Sequence, residues 1–183
     1  MDYLIRLANQ NDCKELSKLK HQVWQETYRG IYSDQKIDNF DYQANEKYFL
    51  DIINNKGITL YIVESRNKIV GYMSCGTPLI PYKNYKQDIG LLYLLQEYQG
   101  KGIGKKLFNI ACDSIRKNGY KQFFISCNKY NTPAQAFYKK MGGVVDYVDD
   151  DNIDGSLPQV KFIYQIKEGD SDKFECVEAI ENK

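Results

Sequence analysis

The chain has no apolar run approaching the roughly 20 residues that cross a bilayer, and its first residues, MDYLIRLANQND, contain neither a basic leader nor a long apolar stretch. Membrane association is therefore not expected, and a cytoplasmic protein is. There is no excess of one charge: 25 Lys and Arg against 24 Asp and Glu leave a formal +1, which excludes a broad polyanion-binding surface and makes nucleic acid a poor partner. His21 is the lone histidine. The five cysteines, Cys13, Cys75, Cys112, Cys127 and Cys176, are odd in number, scattered and without a C-x-x-C pair. A structural zinc or a disulfide framework has nothing to build on, so no metal is expected and the cysteines read as small buried apolar residues. Internal repeats and low-complexity stretches are also missing.

What is present suits one globular domain: 183 residues, 43% hydrophobic and 27% charged, enough to bury a core. Residues 1–166 carry the periodic patterns of structure. Residues 167–183 are charged and poor in apolar side chains, a tail that is either mobile or helical on a partner. The chain is expected to be a monomer or a homodimer.

Tyr3 to Leu7 reads as a first strand, and Asn9 with Asp12 three residues on marks a helix start. Cys13, Leu16, Leu19, Val23 and Trp24 recur at steps of three or four, predicting a helix that ends near Tyr28. A second helix centres on Tyr48, Phe49, Ile52 and Ile53 and stops at Asn54 to Gly57, where Gly57 can take a left-handed cap. Leu60 to Glu64 and Ile69 to Cys75 form a hairpin across Ser65 to Lys68. Ile89 to Leu95, nearly all apolar, is expected to be a strand covered on both faces. Ile103, Leu107, Ile110, Ala111 and Ile115 stripe a helix closed by Asn118-Gly119. Phe123 to Cys127 is the next strand, Pro133 to Met141 a short helix, and Val144 to Val148 with Val160 to Ile166 a last strand pair around an acidic loop. The fold class is mixed α/β.

The segment Gln99-Gly100-Lys101-Gly102-Ile103-Gly104-Lys105 sets three glycines at alternate positions between a strand and a helix. Backbone N–H groups without side chains in the way can approach phosphate oxygens, and the helix adds its positive end. A Walker A loop is excluded, because Gln99 and Lys106 stand where it needs Gly and Ser or Thr. A dinucleotide fingerprint is excluded too, because Lys105 or Leu107 stands at its third glycine.

Gln-x-x-Gly-x-Gly, at Gln99, Gly102 and Gly104, resembles the acetyl-CoA signature of the GNAT superfamily of N-acetyltransferases. Asn131-Thr132-Pro133-Ala134-Gln135-Ala136-Phe137-Tyr138-Lys139-Lys140-Met141-Gly142 resembles the same family's N-x-x-A-x-x-F-Y-x-K-x-G segment, at its usual distance. Trp24 to Tyr32 looks like a stretch of many bacterial members. The resemblance implies a GNAT-like mixed, mostly antiparallel splayed sheet of about six or seven strands with about four helices, and acetyl-CoA as cosubstrate. Pantetheine would lie in the wedge between the strands at Leu91 to Leu95 and Phe123 to Cys127. Leu94, Leu95, Gln99, Gly100, Lys101, Gly102, Ile103, Gly104, Lys105, Asn131 and Tyr138 would bind the cofactor, with the glycine turn on its diphosphate.

By the same resemblance, Tyr138 would donate a proton, or simply a hydrogen bond, to the departing thiolate, and the N–H around Leu95, freed by a bulge, would polarise the acetyl carbonyl. Asn131 is either a cofactor contact or a residue that starts a helix. Asp88 is either the base, acting through water, or a solvated loop-end carboxylate, with Glu26 and Glu64 as further carboxylates; His21 is expected on the surface. The acceptor groove would present Tyr28 and Tyr32, with Asp34, Asp38, Asp41 and Tyr42, facing Asp149, Asp150, Asp151 and Asp154. Such walls suit a small cationic or polyamine-like amine that attacks directly in a ternary complex. Acetylation of a peptide or protein amine, or a module that binds acetyl-CoA without turnover, are the alternatives.

Overall fold

The structure, a computed structural model, describes residues 2–149 and 158–166. The 167–183 tail, and Asp150, Asp151 and Asp154 of the acidic loop, lie outside those residues.

Strand β1 (Leu4–Leu7) leads into a reciprocal cap, in which the Asn9 side chain accepts the Asn11 amide and Asp12 accepts the Asn9 amide at 2.8 Å. That cap opens a 3-10 turn (Gln10–Asp12) running into α1 (Cys13–Thr27), whose Leu16, Leu19 and Val23 are buried as their spacing predicts. A short helix not anticipated, α2 (Asp34–Asp38), follows, begun by Ser33 and anchored by the fully buried Ile37. Helix α3 (Tyr42–Asn54) starts where Asp41 accepts the Ala44 amide at 2.9 Å.

Gly57 is not the left-handed cap that the sequence suggests. Asn55 leaves α3 in extended backbone and its side chain accepts the Gly57 amide at 2.9 Å. Glycine is needed at 57 for space: a Cβ there would stand 2.8 Å from Thr77 Oγ1.

Strands β2 (Ile58–Ser65) and β3 (Lys68–Gly76) form the expected hairpin, turning at Arg66 and Asn67, both with positive φ. Then come β4 (Asp88–Leu94), a 3-10 turn (Gln96–Tyr98), α4 (Ile103–Lys117), β5 (Gln122–Asn128), α5 (Thr132–Lys140), β6 (Val144–Val148) and β7 (Gln159–Gln165). The seven strands make one sheet in the order β1-β2-β3-β4-β5-β7-β6, antiparallel except between β4 and β5. Alternation along β3 sends Tyr72 toward α3, where Phe49 meets it edge-on at 5.3 Å, and Cys75 toward Ser114 of α4. The sheet is thus covered on both faces. Phe49 is fully buried, and cutting it to alanine is expected to cost about 3–5 kcal/mol.

Strands β4 and β5 share one register pair, Asp88 with Phe124, beside a single flanking bond from the Phe124 amide to the Gln87 carbonyl at 3.3 Å. Beyond that point they diverge. β4 is accordingly less covered than its composition suggests, with Leu91, Leu92 and Tyr93 only half-buried, the last two lining the cleft described below.

Candidate active site

The glycine turn sits at the mouth of this gap. Gly100 and Gly102 have φ of 71° and 84°, a left-handed backbone that costs an ordinary side chain about 1–2 kcal/mol, so both positions call for glycine. The first i→i−4 bond of α4 runs from Lys106 to Gly102 at 3.1 Å, which leaves the amides of Ile103, Gly104 and Lys105 ahead of the helix ladder and aimed outward. Gln99 fastens the turn by donating its side-chain N–H to the Leu94 carbonyl at 2.9 Å. Lys101 is drawn back to the Glu97 carbonyl (2.6 Å), and the Ile103 side chain is core, so both can serve a ligand here chiefly through main chain.

A cleft of about 710 Å³ extends from Gln99, Gly100, Gly102, Gly104 and Lys105 past Leu92 and Leu94 to Tyr138, and on to Tyr28 and Tyr32. The strand edge that faces it differs from expectation. The Leu95 amide is not free: it donates to the Val70 carbonyl at 3.0 Å. The bulge lies at Gly90 instead, which the register passes over between the pairs Cys75–Ile89 and Ser74–Leu91. Since main-chain groups alternate sides along an antiparallel strand, the Leu92 and Leu94 amides point away from β3, into the gap.

Helix α5 brings Tyr138 to the floor of the cleft, its ring packed on Phe162 at 5.7 Å and its carbonyl accepting Tyr164 Oη–H at 3.1 Å. Burial, reinforced by Cys127, Tyr164 and Tyr28, pushes its phenol well above the ordinary range, so it remains a proton donor at neutral pH. Asn131 caps α5, its side chain accepting the Ala134 amide at 3.2 Å. It also lines the cleft, near Tyr28. The thiol of Cys127 beside it is raised by burial to about 12 and stays protonated.

Asp88 stands at the foot of the wedge, over Gly90 and Ser74. Burial lifts its carboxyl to about 7, against the opposing pull of Lys161. The other carboxylates have structural partners: Glu64 pairs with Arg6 at 3.1 Å, and Glu26, which lines the cleft, accepts the Gln96 amide at 2.9 Å. His21 is half-buried rather than on the surface, stacked on Phe40 and bonded to Tyr42 Oη and the Ile37 carbonyl.

Tyr28 and Tyr32 are brought together as a stacked pair, 4.7 Å between ring centres, on the cleft wall. Burial raises the Tyr32 phenol to about 12, and Lys36 Nζ already lies 4.3 Å from the centre of that ring. The acidic wall expected beside them is not formed. Asp34 and Asp38 are taken by Arg29 at 3.1 and 2.8 Å, Asp41 caps α3, and Tyr42 serves His21. The sequence reading missed Tyr93, Ser126, Asn128 and Gln159, which line the cleft, and Lys161 behind them. Their one available signal is strand alternation: Ser126 and Asn128 share a face of β5, across from Lys161 and Gln159 of β7.

A sheet split at its centre, with a glycine turn at the start of a helix over the split, is the architecture of an acyltransferase. The chain belongs to the acetyltransferase (GNAT) family, whose model matches residues 21–143. It is 28% identical over 166 residues to the beta-lysine N(6)-acetyltransferase of Methanococcus maripaludis, covering 90% of this chain but only 55% of that protein. With the spermidine N(1)-acetyltransferase of Thermoplasma acidophilum it shares 26% identity over 154 residues, 81% of this chain and 92% of the relative. Its fold matches the crystal structure of a PaiA N-acetyltransferase from Thermoplasma acidophilum in complex with coenzyme A, with a TM-score of 0.74 at 24% identity over 90% of this chain and 99% of the other. No helix among the described residues is long and apolar enough to cross a membrane.

Proposed function

We propose that this protein transfers the acetyl group of acetyl-CoA to a primary amine of a small metabolite, by direct attack in a ternary complex. The observation that carries the reading is the continuity of the cleft, which joins the open amides of the glycine turn, the Leu92 and Leu94 edge, the Tyr138 phenol and the Tyr28–Tyr32 pair in one cavity. The diphosphate fits the amides of Gly100 to Lys105, and the pantetheine amides fit the unpaired edge of β4 as an added strand would. The Leu92 and Leu94 amides then face the thioester, where they stabilise the developing oxyanion.

The amine nitrogen attacks the carbonyl carbon, the C–S bond breaks, and Tyr138 gives its proton to the thiolate. Asp88, ionised over half of its molecules near pH 7, takes the proton that the ammonium must lose, through water. A protonated Cys127 speaks against an acetyl-cysteine intermediate and for direct transfer. The two named relatives act on beta-lysine and spermidine by their names, which supports an aminoalkyl acceptor. The test is thiol release from acetyl-CoA over a panel of small amines, with calorimetry on acetyl-CoA alone. Turnover with one acceptor far above background is expected. Saturable acetyl-CoA binding with silence across the whole panel would make the protein a sensor instead.

A further inference from the structure

Asn128 is 4% exposed and lines the cleft, and its orientation is fixed because Oδ1 accepts the Tyr130 amide at 2.8 Å. Its Nδ2 is therefore a donor, and it has no partner. Two residues back on the same face of β5, Ser126 Oγ accepts Lys161 Nζ at 2.6 Å. Among the described residues that ammonium makes one hydrogen bond and lies 5.5 and 5.8 Å from the ring centres of Tyr82 and Phe124, so two N–H groups remain to offer. A buried amide donor left unsatisfied costs about 1–3 kcal/mol. An ammonium cannot relieve it, because an ammonium brings no acceptor; a carboxylate relieves it and meets the Lys161 charge as well.

We infer that Asn128, Ser126 and Lys161 form a subsite for a carboxylate on the acceptor, so that the substrates are amino acids bearing a reactive side-chain or terminal amine rather than simple polyamines. The inference rests on the acetyltransferase reading above and narrows it. Asp88 and Asp149 also act on Lys161. Their field weakens an anion's hold, which makes the two directed donors, rather than net charge, the selective element.

The experiment compares acceptors that differ by the carboxylate alone. With acetyl-CoA saturating, L-lysine is expected to exceed 1,5-diaminopentane in kcat/KM by tenfold or more. Lys161→Met should collapse that ratio toward one, and Asn128→Asp, which keeps an acceptor for Tyr130 but loses the donor, should lower it at least fivefold. Equal rates on the two acceptors, or a ratio that survives Lys161→Met, would overturn the subsite. So would a rise in the KM of acetyl-CoA on Asn128→Asp without change for L-lysine, which would assign Nδ2 to pantetheine. Calorimetric titration of the CoA-loaded protein with pentanoate, which has no amine, reads the subsite independently of turnover. Saturation that weakens tenfold in Lys161→Met is expected, and heats unaltered by that change, or none, count against it even if every amine fails as a substrate.

Discussion

On the proposed reading, the donor wall of the cleft is largely one stretch of chain, from Leu92 to Lys105, joined by Tyr138 of α5, whereas the acceptor wall is assembled from α1 and the segment after it, β4, β5 and β7. The first would work chiefly through main-chain amides, which demand glycine at fixed positions and so leave a compact pattern in the sequence. The second would work through side chains such as Tyr28, Tyr93, Ser126 and Asn128, any of which elsewhere would be ordinary packing. Recognition by backbone is thus written locally, and recognition by side chains exists only after folding.

Substitutions on the two walls should separate in kind. Gly102→Val is expected to have the largest effect, about a 100-fold loss of kcat/KM for acetyl-CoA, since a β-branched residue is strained at φ 84° and its methyls enter the anion cradle; isothermal titration with CoA would show the loss as binding. Tyr138→Phe should lower kcat by about 30-fold with the KM of acetyl-CoA nearly constant, because the phenol acts only as the thiolate leaves.

Asp88→Asn should lower kcat/KM by about tenfold at pH 8 and flatten a rise that the wild type shows through pH about 7. Its stability effect runs the other way. The folded carboxyl titrates above its unfolded value of 3.8, so the native state holds the extra proton and wild-type stability falls as pH climbs from about 4 to about 7. Melting curves should therefore find Asp88→Asn more stable than wild type at pH 8, by on the order of 1 kcal/mol after solvent screening, and equal to it at pH 4. Glu26→Ala, which removes the bond from the acceptor-side helix to the Gln96 amide, should give the smallest change, a two- to threefold rise in the KM of acetyl-CoA.

Most strands and the long helices were legible, because their apolar residues repeat at 2 or 3.6 and because Asn9 and Gly119 punctuate them. Helix α2 was not, since five residues with one buried side chain, Ile37, carry no period. The site divided in the same way. Gln99, Gly100, Gly102, Gly104, Lys105, Tyr138 and the Tyr28–Tyr32 pair, all of which line the cleft, could be picked out in advance as candidates. The bulge could not be placed, because a β-bulge depends on pairing with β3, and Gly90 looked no different from any strand glycine. The acidic residues after Tyr32 misled because their charge was visible and their partner, Arg29, was not.

One stitch, Asp88 to Phe124, holds the two half-sheets at their base. Past it, Leu92 and Leu94 present their amides as the rungs of a ladder with no second rail, about 7 Å apart. On the proposed reading that spacing is a ruler: it fixes how far along the gap the pantetheine arm is drawn, and so where its thioester comes to rest.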